Sequence, residues 1–397
     1  MPSPSSSVSV QDFVRSASHA AHHFGFSPID RLRAHPSCKS CGTKIQHTAT
    51  AQDRKNDSLS GMLTSGMCSY FDYKLHAIEG PSLFYTIDQV PRSGDIAVSF
   101  HVLNVRKSIA EALLIQTIRS FLNDLGYVRH LVRINSIGDS DSISRYIRDL
   151  TNYLRKRLDE MPPSARELMK EHPITALLHL IEKDHDLARK SPNPLEYLTD
   201  GSRKHFREIV EYLDMSATPF EIDPRLIGHH ECYSDALFAF DLLDEEHVRD
   251  DNAPLVIRGG RYSNFVSKMT KTKIPAVGAV LVLKDKKAPL HVPVPRIKYT
   301  PSVYLVQLGF GPKVTSLLLI DELRRAGISV YQNIMSDSLS EQLRHAESKN
   351  ARYAIILGHK EFMDGNVILR DLTQQSQENM PMSALATHLK RLTASYA

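Results

Sequence analysis

Hydrophobic positions along the chain follow two rhythms. Between Ser108 and Tyr127, the residues Leu114, Ile115, Ile118, Phe121, Leu122 and Leu125 fall on one face of a 3.6-residue period and predict a long helix. Gly126 stands where a helix end favours a left-handed residue. "HLVRINSIG" then reads as a strand. From about Ser142 to Met215 the chain is charged and helical, broken at "MPPS" (Met161 to Ser164) and "SPNP" (Ser191 to Pro194), which predicts a helical insertion with a return helix. From about Glu221 the rhythm changes to strands: "FEID", "ALFAFDLL", "APLVIRGG" and "PAVGAVLVL". "KKAPLHVPVPRIKYTP" carries Pro289, Pro293, Pro295 and Pro301 and reads as a stiff extended linker between domains.

Beyond the linker, strands and helices alternate. "SVYLVQLG", "ISVYQN", "ARYAIILG" and "GNVILRDL" predict strands, and "VTSLLLIDELRRAG", "SLSEQLRHAESKN" and "SALATHLKRL" predict helices. Ser338 with Glu341 three residues on predicts a capping box. This is the pattern of an α/β domain over 302–397. It holds 10 basic and 9 acidic residues and is not globally basic.

Length and composition narrow the classes. A chain of 397 residues supplies a large core and two or three domains. At 42% hydrophobic and 24% charged it is globular in composition. A net charge of +4 does not mark a nucleic-acid binder by itself, though it leaves room for a local basic groove. No apolar run approaches the roughly 20 residues of a membrane-spanning helix, so no membrane partner is expected and a cytoplasmic location is. The start "MPSPSSSVSV" lacks the pattern of a secretory leader, and 1–20 is read as a flexible polar N-terminus.

Two stretches invite a metal reading. Cys38 and Cys41 form one C-x-x-C, with His35, His47 or Cys68 as the residues that would complete a zinc set. A second knuckle is missing, and reduced thiols are the plainer reading. "DPRLIGHHECYSDALF" sets His229, His230, Glu231 and Cys232 side by side. On a strand, adjacent side chains point to opposite faces, so four in a row cannot converge on one ion.

The order of landmarks from about His22 onward resembles histidyl-tRNA synthetase, a class II aminoacyl-tRNA synthetase. "DRKNDSLSGMLTSGM" resembles the strand pair that carries R-P-E-G-T. "FYTIDQVPR" resembles the motif 2 strand, and "INSIGD" the N-S-x-G-D stretch. "DPRLIGHHECYSDALFAF" resembles the first histidine-binding motif, x-R-L-V-R-G-L-D-Y-Y-x-x-T-x-F-E, and "RGGRYSNFV" the second, A-G-G-R-Y-D-x-L-V. "PAVGAVLVLKD" resembles motif 3, P-A-V-G-F-A-x-G-L-E-R, and the segment after the linker resembles the anticodon-binding domain. The resemblance implies an α+β fold. It has a class II antiparallel sheet core with helices over 21–288, a helical insertion at about 142–200, a Pro-rich linker at 289–301 and an anticodon-binding-like α/β domain over 302–397. It also implies a homodimer.

The family's reaction joins histidine to ATP and then to the tRNA end, so cations and oriented donors must meet the phosphates. Arg92 matches the motif 2 arginine and His101 follows Phe100 as in F-H-Q, which makes Arg92 and His101 the nucleotide-binding remnant. Tyr233, Gly259, Gly260, Arg261 and Tyr262 form the substrate-pocket remnant, although glycines at 259 and 260 also suit a tight passage in a sheet. Elsewhere the pattern is broken. Gly228 stands where an arginine is expected, Leu63 to Met67 replace R-P-E-G-T, and Lys284-Asp285 replace Glu-Arg. Asp285 at ~4 Å from a triphosphate would oppose it by about 4 kcal/mol at an effective dielectric near 20.

With several such groups altered together, the expectation is a synthetase-like protein that lacks aminoacylation and needs no cofactor. It would bind tRNA or another RNA through its C-terminal domain, or a protein partner. A regulatory role like that of the synthetase-like partner of ATP phosphoribosyltransferase ranks lower, because that partner usually lacks the anticodon-binding domain. The alternative is an active ligase using ATP and Mg, with Arg92, Lys284 and Arg261 building a new nucleotide site.

Overall fold

The computed structural model describes residues 8–29, 63, 66–67, 70–71, 80–90, 93–229, 232–250, 252–270, 273–284 and 301–394. Cys38, Cys41, Cys68, Arg92, His230, Glu231, Asp285 and the linker up to Thr300 lie outside them.

Eight strands form the core sheet in the order β1-β2-β3-β8-β7-β6-β4-β5. These are β1 (Ser27–Pro28), β2 (Ser82–Gln89), β3 (Ile96–Leu103), β4 (His130–Ser136), β5 (Phe220–Ile222), β6 (Ser234–Leu242), β7 (Leu255–Arg261) and β8 (Ala276–Leu283). The six central strands pair antiparallel, and only the outermost pairs, β1 with β2 and β4 with β5, run parallel. All eight positions of β3 and of β8 are buried, and β8 falls on the strand predicted at "PAVGAVLVL".

Alternation along the strands gives the sheet two faces. The back face presents Ile96, Val98, Phe100, Phe238, Phe240, Ile257 and Leu281 to the helix Ile109–Asp124, here the central helix. The front face presents Phe84, Ala97, Tyr262, Val280 and Val282 to a second apolar cluster that includes Leu63, Met67 and Tyr70. The insertion is built from helices Ser140–Arg155, Pro163–Glu171, Pro173–Glu182 and Asp186–Arg189, around a cluster of its own that includes Tyr146, Leu150 and Leu177. The helix Asp200–Met215 returns to the sheet.

The C-terminal sheet runs β10-β9-β11-β12-β13, with β9 (Val303–Gln307), β10 (Val330–Gln332), β11 (Tyr353–Leu357), β12 (Asn366–Asp371) and β13 (Ser376–Pro381). Its helix Phe310–Arg325 packs against the central helix. There the Ser120 hydroxyl donates to Asp321 Oδ1 at 2.5 Å, and Arg324 reaches Asp124 at 2.6 and 3.0 Å. Gln332 also donates its Nε2 to the Phe24 carbonyl at 3.0 Å.

Four local expectations are corrected. Val10–His23 is a capped helix, not a flexible start: Ser9 accepts from the Asp12 amide, and Phe13, Ala17 and Ala21 are fully buried. Phe13 meets Phe121 of the central helix edge-on at 5.5 Å. Leu63, Gly66, Met67, Tyr70 and Phe71, expected near a strand pair, are helical. The stretch before β6 is a turn and not a strand, with the amides of Cys232 and Tyr233 both donating to the His229 carbonyl. The capping box is half made: Ser338 Oγ accepts from the Glu341 amide, but the Glu341 carboxylate takes the Ser336 hydroxyl instead.

Candidate functional site

The front face holds one continuous polar chain at the place where the sequence put its binding remnants. Thr86 on β2 donates to Asp88 Oδ2 at 3.0 Å and lies 2.6 Å from the Ser99 hydroxyl on β3. Ser99 lies 3.1 Å from His101 Nε2, and His101 Nδ1 lies 2.7 Å from the Tyr262 hydroxyl at the end of β7. Pairing of β3 with β8 and β8 with β7 places His101 and Tyr262 across Gly278, where an added Cβ would come within 2.8 Å of both Leu63 and Tyr262. Phe84 stacks on the imidazole at 4.7 Å, and Gly66 sits so close that a Cβ would meet His101 Nε2 at 2.1 Å.

Burial fixes the charge state of this chain. His101 is held neutral, its pKa lowered to about 3 by burial, and burial pushes the Tyr262 phenol well above its usual value. Neither group changes charge near neutral pH. The pair can orient and hydrogen-bond, but it cannot supply a cation to a phosphate or act as a general base at neutral pH.

Arg261 points the other way. It lies on the back face and grips Glu111 of the central helix with two bonds, Nε to Oε1 and Nη2 to Oε2, both 2.9 Å, while Nη1 donates to the Val105 carbonyl at 3.0 Å. The Glu111 side chain is fully buried and also meets His205 Nε2 at 2.9 Å. Burial alone would raise the Glu111 carboxyl, but Arg261 and His205 outweigh it and hold it below the usual range. Glu111 and His205 were not anticipated from sequence. The only signal was an acidic residue inside the apolar run of the central helix.

Gly259 and Gly260 are required by packing. A Cβ at Gly259 would meet the Phe238 ring at 2.3 Å, and one at Gly260 the Ala236 carbonyl at 2.7 Å. The latter contact arises at a bulge in β6 between Ser234 and Leu237. Gly228 is enclosed too: a Cβ there would lie 2.3 Å from Tyr233 Cδ2 and 2.7 Å from Leu237 Cδ2. The position that the family pattern gives to an arginine is therefore filled by Tyr233. Among the described residues, no group of three or more His, Cys, Asp or Glu side chains is placed to hold a metal ion, and Cys232 is buried and forms no disulfide. No helix among the described residues is long and apolar enough to cross a membrane.

Residues 315–392 match the anticodon binding domain family. Among curated proteins, the chain is 27% identical to the histidine–tRNA ligase of Thermotoga maritima, covering 78% of this chain and 73% of that one. It is 26% identical to the histidine–tRNA ligase of a Geobacillus species, covering 70% of this chain and 66% of that one. The apo histidyl-tRNA synthetase of S. aureus superposes with a TM-score of 0.53 at 14% identity, over 98% of both chains, which shows the shared fold. Sequence likeness, the anticodon-binding match and the sheet with its C-terminal α/β domain agree, and the chain is similar to the histidyl-tRNA synthetases of class II.

Proposed function

We propose that the chain is a synthetase-like binding protein that does not activate histidine and that binds tRNA or another structured RNA through its C-terminal domain. The observation that carries this reading is the filled front face. Tyr233, Tyr262, Met67 and Leu63 are buried together in one apolar cluster, and the space at Gly228 is taken by Tyr233 and Leu237. The polar pair at its centre, His101 and Tyr262, is neutral. Transition-state charge at phosphorus needs fixed cations, and losing even one oriented donor costs roughly 10²–10³ in rate. The C-terminal domain supports the RNA half of the reading, because it keeps its sheet, its helices and its match to the anticodon-binding family.

In this reading the chain requires no cofactor, with ATP and Mg belonging to the ligase alternative. Self-association into a homodimer accompanies it, as the sequence resemblance implies. The test pairs two assays. ATP–pyrophosphate exchange with histidine should give no signal above background. Filter binding of total tRNA should be saturable and weaken with salt. Exchange that disappears in Arg92→Ala would establish the ligase instead, and the absence of salt-sensitive binding would remove RNA as the partner.

A further inference from the structure

The helical insertion leaves the core sheet after β4 and rejoins it along the helix Asp200–Met215, here the return helix. One polar knot ties the two ends of that excursion together. The Asp139 carboxylate caps the helix Ser140–Arg155 by accepting from the Ser142 amide at 2.9 Å, and it also takes the Thr199 hydroxyl at 2.6 Å. Thr199 in turn caps the return helix, its hydroxyl accepting from the Ser202 amide. The Asp139 amide donates to the Ser202 hydroxyl at 3.1 Å, and that hydroxyl donates to Asp235 Oδ1 on β6 at 3.2 Å. One turn along the return helix, His205 falls on the same face as Ser202 and places Nε2 2.9 Å from Glu111 Oε1. The knot and the imidazole together seat the return helix on β6 and on the central helix.

Four ionisable groups act on one another at this seat: Glu111 of the central helix, Arg261 of β7, His205 of the return helix and Asp235 of β6. Glu111 and Arg261 form a buried ion pair, so the net charge is set by His205 and Asp235. With His205 protonated and Asp235 ionised, the charges cancel. When His205 loses its proton, one uncompensated anion stays in a largely buried place, which is costly. Histidine is the side chain whose charge ordinarily changes around neutral pH, and the His205 imidazole keeps a partly open path to solvent. Burial alone would lower it, but the Glu111 carboxylate outweighs burial, with Asp235 in the same sense and Arg261 against, and His205 is held above its ordinary value. Burial pushes the Asp235 carboxyl up, with Glu111 in the same sense and Arg261 and His205 against. Both groups therefore hold a proton more readily in the fold than in the unfolded chain. The support from His205 is complete below its ordinary value near 6.5 and is lost as pH rises through its higher folded value.

We propose that His205 is a pH-operated catch for the helical insertion: protonated, it holds the return helix against the core, and its deprotonation loosens that helix and the knot at the neck of the insertion. The proposal does not depend on what the C-terminal domain binds. The test is hydrogen exchange of the full chain, read as protection of the return-helix amides relative to those of β11 between pH 7 and 9, after correction for the intrinsic exchange rate. A several-fold fall in relative protection is expected, bounded by about tenfold per pH unit for one proton. His205→Gln can still donate to Glu111 but does not titrate, and its return helix should show no such fall. Asp235→Asn removes the anion that is stranded when His205 deprotonates, so its fall should be smaller than that of the unsubstituted chain. Asparagine tolerates the left-handed backbone at this position, φ 50°, and this variant keeps the test decisive if His205→Gln fails to fold. Two results would overturn the proposal: relative protection of the unsubstituted return helix that does not change with pH, or a fall of undiminished size in the folded variants.

Discussion

Arg261 lies in the stretch that resembles a histidine-binding motif, yet its side chain is committed to Glu111, and that commitment has a measurable size. In Arg261→Ala the Glu111 carboxylate, with no exposed surface, would keep only His205 as a side-chain partner and would lose two bonds of 2.9 Å. Stranding one member of a buried pair typically costs about 3–5 kcal/mol. That is a large fraction of the ~5–15 kcal/mol by which folded domains are stable. The double variant Arg261→Met, Glu111→Leu removes both charges, and its loss should be clearly smaller than the sum of the single losses. The chain has no tryptophan, so urea unfolding followed by far-ultraviolet circular dichroism is the suitable assay. If Arg261→Ala costs less than about 1 kcal/mol, or if the single losses simply add, then Glu111 does not hold Arg261 in solution. The arginine would then be available to a substrate, and the filled-site reading would lose its support on this strand.

Three further outcomes are expected. His101 binds no proton in the fold until about pH 3, whereas an unfolded histidine binds one near its ordinary 6.5, so acid should destabilise the protein below that value. The contribution is about 2 kcal/mol by pH 5, and urea midpoints from pH 7 to 5 should fall less steeply in His101→Phe. Gly228→Ala places a methyl group 2.3 Å from the Tyr233 ring and should cost about 1–3 kcal/mol by overpacking, measured by the same unfolding assay; a neutral result would mean that Tyr233 moves aside freely. Asp321→Ala removes the acceptor shared by Ser120 and Arg324 at the contact between the two sheets' helices, and a loss of about 1–3 kcal/mol in urea unfolding is expected, whereas no change would argue against that contact.

The parts of the fold legible in the sequence are those where local pattern and burial agree. β8 and the central helix are apolar in the period their structure requires, and both formed where expected. β13 was missed because "SQENMP" is an exposed polar edge strand with no apolar face to announce it. The helix Val10–His23 was missed because the large apolar residues of its buried face, Val10, Phe13 and Val14, stop after one turn, and the face continues in alanines with Ser18 and His23, which do not read as core. Of the site residues proposed from the sequence, His101, Tyr233, Gly259, Gly260, Arg261 and Tyr262 lie among the described residues. Strand alternation puts the adjacent Arg261 and Tyr262 on opposite faces, but the sequence does not name the partner that each one meets. Glu111 is 150 positions from Arg261 and His101 is 161 from Tyr262, and nothing local encodes such pairings.

The central helix Ile109–Asp124 is bound on one side to β7 through Glu111 and Arg261, and on the other to the C-terminal domain through Ser120, Asp124 and Asp321. Its apolar residues belong to a single cluster that runs from the core sheet into β9 and β11. Neither domain can then shed this helix without exposing the other. The two sheets amount to one cooperative unit, and the chain should lose its structure in a single thermal transition despite its two-domain outline.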